Sequence, residues 1–85
     1  MAFDKVEKRW TASIATAGSE HLVLLNDSNV TIEFVGGTGT VTHSVRGTGV
    51  TAKSITADEA YANQTRQNTF AFTGTGTVTV TVDEE

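Results

Sequence analysis

The feature that most constrains this chain is a two-residue alternation of apolar and polar side chains along most of its length. In the clearest example, Val78, Val80 and Val82 alternate with threonines at 77, 79 and 81. A period of two sends successive side chains to opposite faces of an extended strand, so each such run predicts a strand with one buried face. The chain holds 16 Thr and 10 Val, whose branched Cβ suits strands and restricts helices. The sequence therefore predicts an all-β fold.

Short alternating segments are separated by turn-forming residues, at intervals of roughly 8–12 residues. We expect about seven short strands in a small antiparallel β-sandwich or partial barrel. The run Leu22–Leu25 is apolar on both faces and predicts a central strand buried on both sides. Only one stretch breaks the alternation: Thr56–Glu59 has the form of a helix capping box. It predicts either one short helix near 57–66 or an ordered loop.

Two glycine-containing segments resemble each other. Each has a Phe, a Gly-x-Gly and a Thr-Val-Thr, at positions 34–42 and 72–79. Because alternating residues flank each Gly-x-Gly, both segments are typical of hairpins, which would make the two parts of the sheet an internal duplication. Gly39 and Gly76 are predicted to adopt positive φ.

The alternation also predicts which side chains form the core, namely those on the apolar face of each strand. They are Val6, Ile14, Leu22, Leu24, Ile32, Phe34, Val41, Phe72, Val78 and Val80.

The 85 residues predict one domain, 1–85, with a possible N-terminal arm at 1–5. A core this small is marginal, and with no Cys and two His the chain lacks a disulfide or a structural zinc site. We therefore expect a homo-oligomer. Phe3 is a lone apolar residue before a charged run, so the arm is expected to pack Phe3 on a neighbouring subunit or on the surface beneath it.

Several classes of function lack support in the sequence. The net charge of −4 and the scattered cations argue against nucleic-acid binding. No apolar run predicts a membrane span or an export signal. His21 and His43 lie in no nucleophile–base spacing, and no cofactor or metal motif is present, so we expect no enzyme activity. His43 is expected to be a packed or interface histidine, and Trp10 a core residue with interface contact as the alternative.

In style, the whole chain resembles the small β-sandwich virion proteins of tailed bacteriophages, especially capsid decoration (cement) proteins. The resemblance rests on an acidic, Thr/Val/Gly-rich chain without Cys or Pro and on the segments at 34–42 and 72–79. It implies a protein made in the host cytoplasm that joins the virion as a homo-oligomer, with a trimer ranked ahead of a dimer. Such a protein stabilises the head by binding the major capsid protein or another virion protein. Phe3, Trp10 and His43 are the candidate interface residues. The alternatives are a sugar- or ligand-binding adhesion module and a small tail or head–tail junction subunit.

Overall fold

The computed structural model describes residues 3–15 and 17–85 and confirms the predicted all-β fold. The first two residues of the predicted arm lie outside the described residues. Within the described part of the chain there are seven strands and no helix. The strands are β1 (Asp4–Val6), β2 (Arg9–Ala15), β3 (Ser19–Val23), β4 (Ser28–Val45), β5 (Thr51–Ile55), β6 (Glu59–Asn63) and β7 (Gln67–Glu84).

The sheet is built around two long central strands. β4 and β7 are each 18 residues long and run antiparallel, from the pair Ser28–Glu84 to the pair Val45–Asn68. On its other side, β7 pairs with β2 along its C-terminal half and with β3 along its N-terminal half. β4 likewise pairs with β6 along its N-terminal half and with β5 along its C-terminal half. β1 adds to the free edge of β2.

Glycines let the two central strands cross closely and bend. The β4–β7 register shifts between Val35 and Thr38, and Gly39 then pairs with Gly74. A Cβ on Gly74 would lie 2.7 Å from the Cα of Gly39 and even closer to the carbonyl oxygen of Thr38. The positive φ predicted at Gly39 (142°) and Gly76 (80°) is confirmed. The hairpin prediction is wrong, however, because the two similar segments pair with each other inside long strands.

The bend folds the single sheet into two facing layers, as in a sandwich. Layer one contains β1, β2, β6 and the adjoining halves of β4 and β7, and layer two contains β3, β5 and the other halves. Near the bend, the rings of Phe34 and Phe72 meet edge to face, with centroids 6.0 Å apart. The core lies between the layers, where apolar side chains from both are removed from water.

Most of the predicted core is confirmed. Ile14, Leu22, Leu24, Ile32, Val41, Phe72, Val78 and Val80 are buried. Phe34 is half-buried and packs against them. Val6 was wrongly assigned, because its side chain is 72 % exposed. It pairs with Arg9 on the outward face of layer one, beside the turn that joins β1 to β2.

Two local predictions are also wrong. Leu22–Leu25 is not a central strand: β3 ends at Val23, pairs only with β7 among the described strands, and exposes Val23. The helix or loop predicted near 57–66 contains strand β6, which pairs with Ser28–Ile32. Asp58 caps no helix there. Its carboxylate instead accepts a hydrogen bond of 2.8 Å from the Phe34 backbone N–H.

The described fold has an approximate internal two-fold symmetry. The first half of the chain contributes β1 to β4 and the second half contributes β5 to β7. In each half, two short strands pair with the long strand of the other half: β2 and β3 pair with β7, and β5 and β6 pair with β4. The register pairs correspond, since Ile14 lies opposite Val78 as Ile55 lies opposite Val41. Phe34 and Phe72 are equivalent under this operation. The expected duplication of sheet halves is therefore present, with each half contributing strands to both layers.

Candidate functional site

His43 lies in the core, on the inward face of β4. Its ring stacks on Phe70 with centroids 4.3 Å apart and planes 19° apart. Nε2 lies 2.6 Å from Asn68 Oδ1, and Nδ1 lies 2.9 Å from the Tyr61 hydroxyl. Because the Asn68 amide nitrogen donates to the backbone oxygens of Leu22 and Thr65, Asn68 Oδ1 is left as the acceptor. His43 therefore carries its proton on Nε2, and Nδ1 accepts from Tyr61.

Asn63 extends this polar network. Its amide nitrogen donates to Ser28 Oγ at 3.1 Å, to Asn68 Oδ1 at 3.2 Å and to the Thr65 backbone oxygen at 3.2 Å. Its Oδ1 accepts from the Thr65 N–H at 3.0 Å, which forms an Asx turn. No buried side-chain nitrogen or oxygen in residues 3–15 and 17–85 lacks a partner. A network satisfied in this way fixes how the chain crosses from layer one to layer two at 64–66.

The electrostatics of the network favour neutral side chains. Burial lowers the pKa of His43, although its hydrogen bond to Asn68 opposes the shift. Burial raises the pKa of Tyr61 above its usual range, and the nearby charge of Glu59 adds to the effect. Both groups are therefore uncharged at neutral pH, so the pair acts as a fixed hydrogen bond.

A row of aromatic rings joins this network to the N-terminal segment. The ring of Phe3 lies 6.0 Å from Phe70, Phe70 stacks on His43, and His43 lies 5.9 Å from Tyr61, all between centroids. Phe3 is 5 % exposed. Phe3 therefore packs on the core of its own chain, between β2 and β3. Little of its side-chain surface remains exposed for contact with a neighbouring subunit. The predicted contact of Phe3 with a neighbouring subunit is not needed to bury this ring, because the core of its own chain already does so.

A cleft opens at the other end of the aromatic row, on the flank between β5 and β6. Its volume is about 380 Å³. Lys53 borders it, with its ammonium 5.2 Å from the centroid of the Tyr61 ring and 2.7 Å from a Glu59 carboxylate oxygen. The lining residues are His43, Ala52, Lys53, Tyr61, Ala62, Asn63, Gln64 and Thr65.

Trp10 lies half-buried at the edge of the core. Its Nε1–H donates to Glu84 at 3.2 Å, and the Lys5 ammonium lies 4.8 Å from its ring centroid. Burial acts to raise the pKa of Glu84, but hydrogen bonds from the Leu25, Trp10 and Asn26 N–H groups and the charge of Lys5 outweigh it, so the pKa is lowered. The core position predicted for Trp10 is thus only partly realised, since one side of the ring remains at the surface.

Several exposed aliphatic residues lie in or beside the turns and connections at one end of the molecule, distributed over both layers. We call this the open end: it contains the β1–β2 turn and the connections at 24–27, 46–50 and 64–66, opposite the glycine bend. Arg66 ties two of these connections together through an ion pair of 2.8 Å with Asp27 and a hydrogen bond to the Leu25 carbonyl. Four exposed aliphatic residues belong to this end: Val6, Val23, Leu25 (83 % exposed) and Val50. Val35, at 58 %, lies at the bend.

The sequence analysis missed Tyr61, Asn63, Asn68 and Lys53 because they fell in, or beside, the stretch interpreted as a helix or loop. The local sequence Asn63–Thr65 carried a usable signal, since Asn two residues before a turn N–H favours an Asx turn. The partners of His43 had no such signal, because Asn68 and Tyr61 are brought together only by the fold.

Neither comparison with known proteins gives this chain a relative: no family model matches its sequence, and no curated protein matches it significantly. Among the described residues, no three His, Asp or Glu side chains come together as a metal site. The described part of the chain also contains no helix that is long and apolar enough to cross a membrane.

Proposed function

We propose that this chain is a non-enzymatic structural protein of a tailed-phage virion, a decoration protein that binds the major capsid protein as a homo-oligomer. The observation that carries the proposal is the open end, where Leu25 and three valines face solvent although the core of the domain is already filled. Leu25, 83 % exposed in the connection between β3 and β4, is the side chain through which we expect the contact with the capsid. The resemblance to decoration proteins supplies the class of partner.

The condition of the polar groups also supports a binding role. Both ring nitrogens of His43 and the hydroxyl of Tyr61 are engaged in hydrogen bonds within the core. A general base needs a nitrogen free to face a substrate, and a nucleophile needs such a base beside it. His43 and Tyr61, the polar side chains with shifted pKa values in the core, therefore contribute to the packing of the domain.

The decisive experiment is cosedimentation with phage heads assembled without this protein. We expect the native chain to pellet with heads and to saturate at a fixed number of copies per capsid subunit. Burial of one Leu side chain favours binding by roughly 1.5–3 kcal/mol, so Leu25→Ser is expected to weaken binding by about tenfold or more. Val35→Ser is the matched control, because Val35 is also exposed but lies at the bend.

Each outcome of that experiment has a clear meaning. Binding to heads that Leu25→Ser weakens and Val35→Ser does not supports the proposal. Binding only to purified tails run in parallel would support the alternative of a tail or junction subunit. Failure to bind either particle would overturn a virion role.

The oligomeric state is measured separately by light scattering over a range of concentrations. We expect a homo-oligomer, because a core of this size gains stability from association, and the resemblance to decoration proteins favours a trimer over a dimer. A monomer at all concentrations, together with binding to heads, would mean that the copies associate only on the capsid lattice. A monomer that also fails to bind heads would contradict the proposal.

The sugar-binding alternative has less support. It needs an aromatic face open to a ligand, and the nearest candidate is Tyr61 in the cleft between β5 and β6. The Lys53 ammonium lies over that ring, and the Tyr61 hydroxyl is held by His43. A sugar would have to displace the lysine from both Tyr61 and Glu59.

A further inference from the structure

Both backbone polar groups of Leu25 are held by charged side chains, although its own side chain is 83 % exposed. The Leu25 N–H donates to Glu84 Oε2 at 2.8 Å, and the Leu25 carbonyl accepts a hydrogen bond from the Arg66 guanidinium. An exposed loop residue can leave its backbone groups to water. Leu25 instead combines a backbone fixed from two sides with a side chain in solvent.

Glu84 is itself fixed through its other carboxylate oxygen. The Trp10 indole N–H donates to Oε1 at 3.2 Å, and the charge of Lys5 also favours the ionised carboxylate. The Asn26 N–H joins the Leu25 N–H on Oε2, at 3.0 Å. The carboxylate therefore bridges layer one, through Trp10 on β2, to the connection between β3 and β4.

The rest of this connection is held in a similar way. The Leu24 N–H donates to the Arg66 carbonyl at 2.7 Å, and the Asp27 carbonyl accepts from the Glu85 N–H at 2.9 Å. Arg66 also forms an ion pair of 2.8 Å with Asp27. Each residue from 24 to 27 thus has a backbone group bonded to residue 66, 84 or 85.

The other exposed aliphatic residues are not held by charged groups. Within residues 3–15 and 17–85, the side chains that bond the backbone of Val35 and Val50 are threonine hydroxyls. Val6 and Val23 lie at strand ends, where the sheet itself fixes the backbone. Leu25 is therefore the exposed aliphatic residue outside the strands whose position depends on a carboxylate and a guanidinium.

We infer that Glu84 and Arg66 are positioning residues for the capsid contact, because they hold the connection at 24–27 in one conformation and so present Leu25 ready to bind. The inference rests on the proposed contact of Leu25 with the capsid. A loop already fixed in its bound conformation loses little conformational entropy on association, whereas a mobile loop loses more and binds more weakly.

The test begins with Glu84→Gln, which keeps the size of the side chain but leaves one acceptor oxygen for donors on two sides. Amide hydrogen exchange, resolved by NMR, follows the Leu25 and Asn26 N–H groups directly. We expect exchange at these two amides to become about tenfold faster or more, and binding to phage heads to weaken about tenfold. The matched control is Glu85→Gln, an equal change of charge at an exposed side chain, which should alter neither measurement.

A double-mutant cycle separates positioning from a direct contact between Glu84 and the capsid. If Glu84 acts through Leu25, then Glu84→Gln should weaken head binding by less than about twofold once Leu25→Ser is present. An equal loss of binding in both backgrounds would overturn the inference. Unchanged exchange at Leu25 and Asn26 would also overturn it, as would faster exchange without weaker binding.

Arg66→Gln releases the opposite side of the connection and should have the same two effects, so it decides the question if Glu84→Gln does not fold. Its control is Arg46→Gln, because the exposed Arg46 side chain forms no ion pair among the described residues. Native binding that tolerates both Glu84→Gln and Arg66→Gln would overturn this inference alone. Failure of the native chain to bind heads would overturn the proposed function together with it.

Discussion

Substitution of Gly74 by Ala offers the sharpest test of the bend between the two layers. Gly74 has φ of 147°, and an added Cβ would lie 2.7 Å from the Cα of Gly39 and 2.9 Å from the carbonyl carbon of Thr38. The backbone conformation alone costs about 1 kcal/mol for Ala. Forcing the strands apart costs roughly a further 1–3 kcal/mol or more. We expect Gly74→Ala to lose about 3 kcal/mol or more of unfolding free energy.

That loss is large for a chain of this length, whose total stability is expected to be about 4–13 kcal/mol. It corresponds to a drop in melting temperature of roughly 12–25 °C for a small domain. Urea and thermal unfolding, followed by circular dichroism and by the fluorescence of Trp10, measure it directly.

Gly47→Ala is the matched control. Gly47 also has positive φ, 86°, but a Cβ added there would meet no atom within 4 Å. Only the backbone term applies, so this variant should lose about 1 kcal/mol. If the two variants differed by less than about 1 kcal/mol, close approach at the bend would not be what requires glycine, and the reasoning would be refuted.

Other predictions concern the core and its histidine. In urea unfolding, Leu24→Ala should lower the unfolding free energy by roughly 2–5 kcal/mol, whereas Leu25→Ala should change it by no more than about 0.5 kcal/mol. Similar losses in the two variants would contradict the assignment of Leu24 to the core and of Leu25 to the surface. Phe3→Ala should lower the unfolding free energy by about 3–5 kcal/mol without changing the oligomeric state measured by light scattering. Dissociation of the oligomer at unchanged stability would instead show that Phe3 contacts a neighbouring subunit. Because the pKa of His43 is lowered in the folded chain, unfolding takes up protons. Stability should therefore be full above about pH 6.5 and fall as pH drops below it. His21 is exposed, so His21→Gln is the control variant and should keep the same pH dependence of stability. If that pH dependence disappeared in His21→Gln, its assignment to His43 would be refuted.

Alternation predicted the strands well because it records which face of each strand is buried, and that information is local. Val78 and Val80 illustrate this, since both were assigned to the core and both are fully buried. Val6 shows the limit of the same argument. Its nearest large apolar neighbours in sequence, Phe3 and Trp10, are three and four residues away. The alternation does not reveal that Val6 lies on the outward face of β1, at the edge of the sheet.

The glycine segments show why the topology was not predictable. A Gly-x-Gly between alternating residues is compatible with a tight turn or with a close crossing of two long strands, and both need φ values that other residues avoid. Only the long-range pairing of Gly39 with Gly74 distinguishes them. The polar network was not predictable from the sequence for the same reason, because His43, Tyr61 and Asn68 come from three different strands.

The central position of β7 has a consequence for synthesis. Residues 9–23 form β2 and β3, whose described pairing in the sheet is with β7 and, for β2, with β1. Residues 1–66 leave the ribosome before any of β7, so β3 emerges without its described strand partner and β2 with β1 alone. At typical translation speeds, the 18 residues of β7 take about one to four seconds to follow. The nascent chain is therefore expected to remain exposed to chaperones and proteases until β7 emerges, and the two layers are completed only when this late strand joins them.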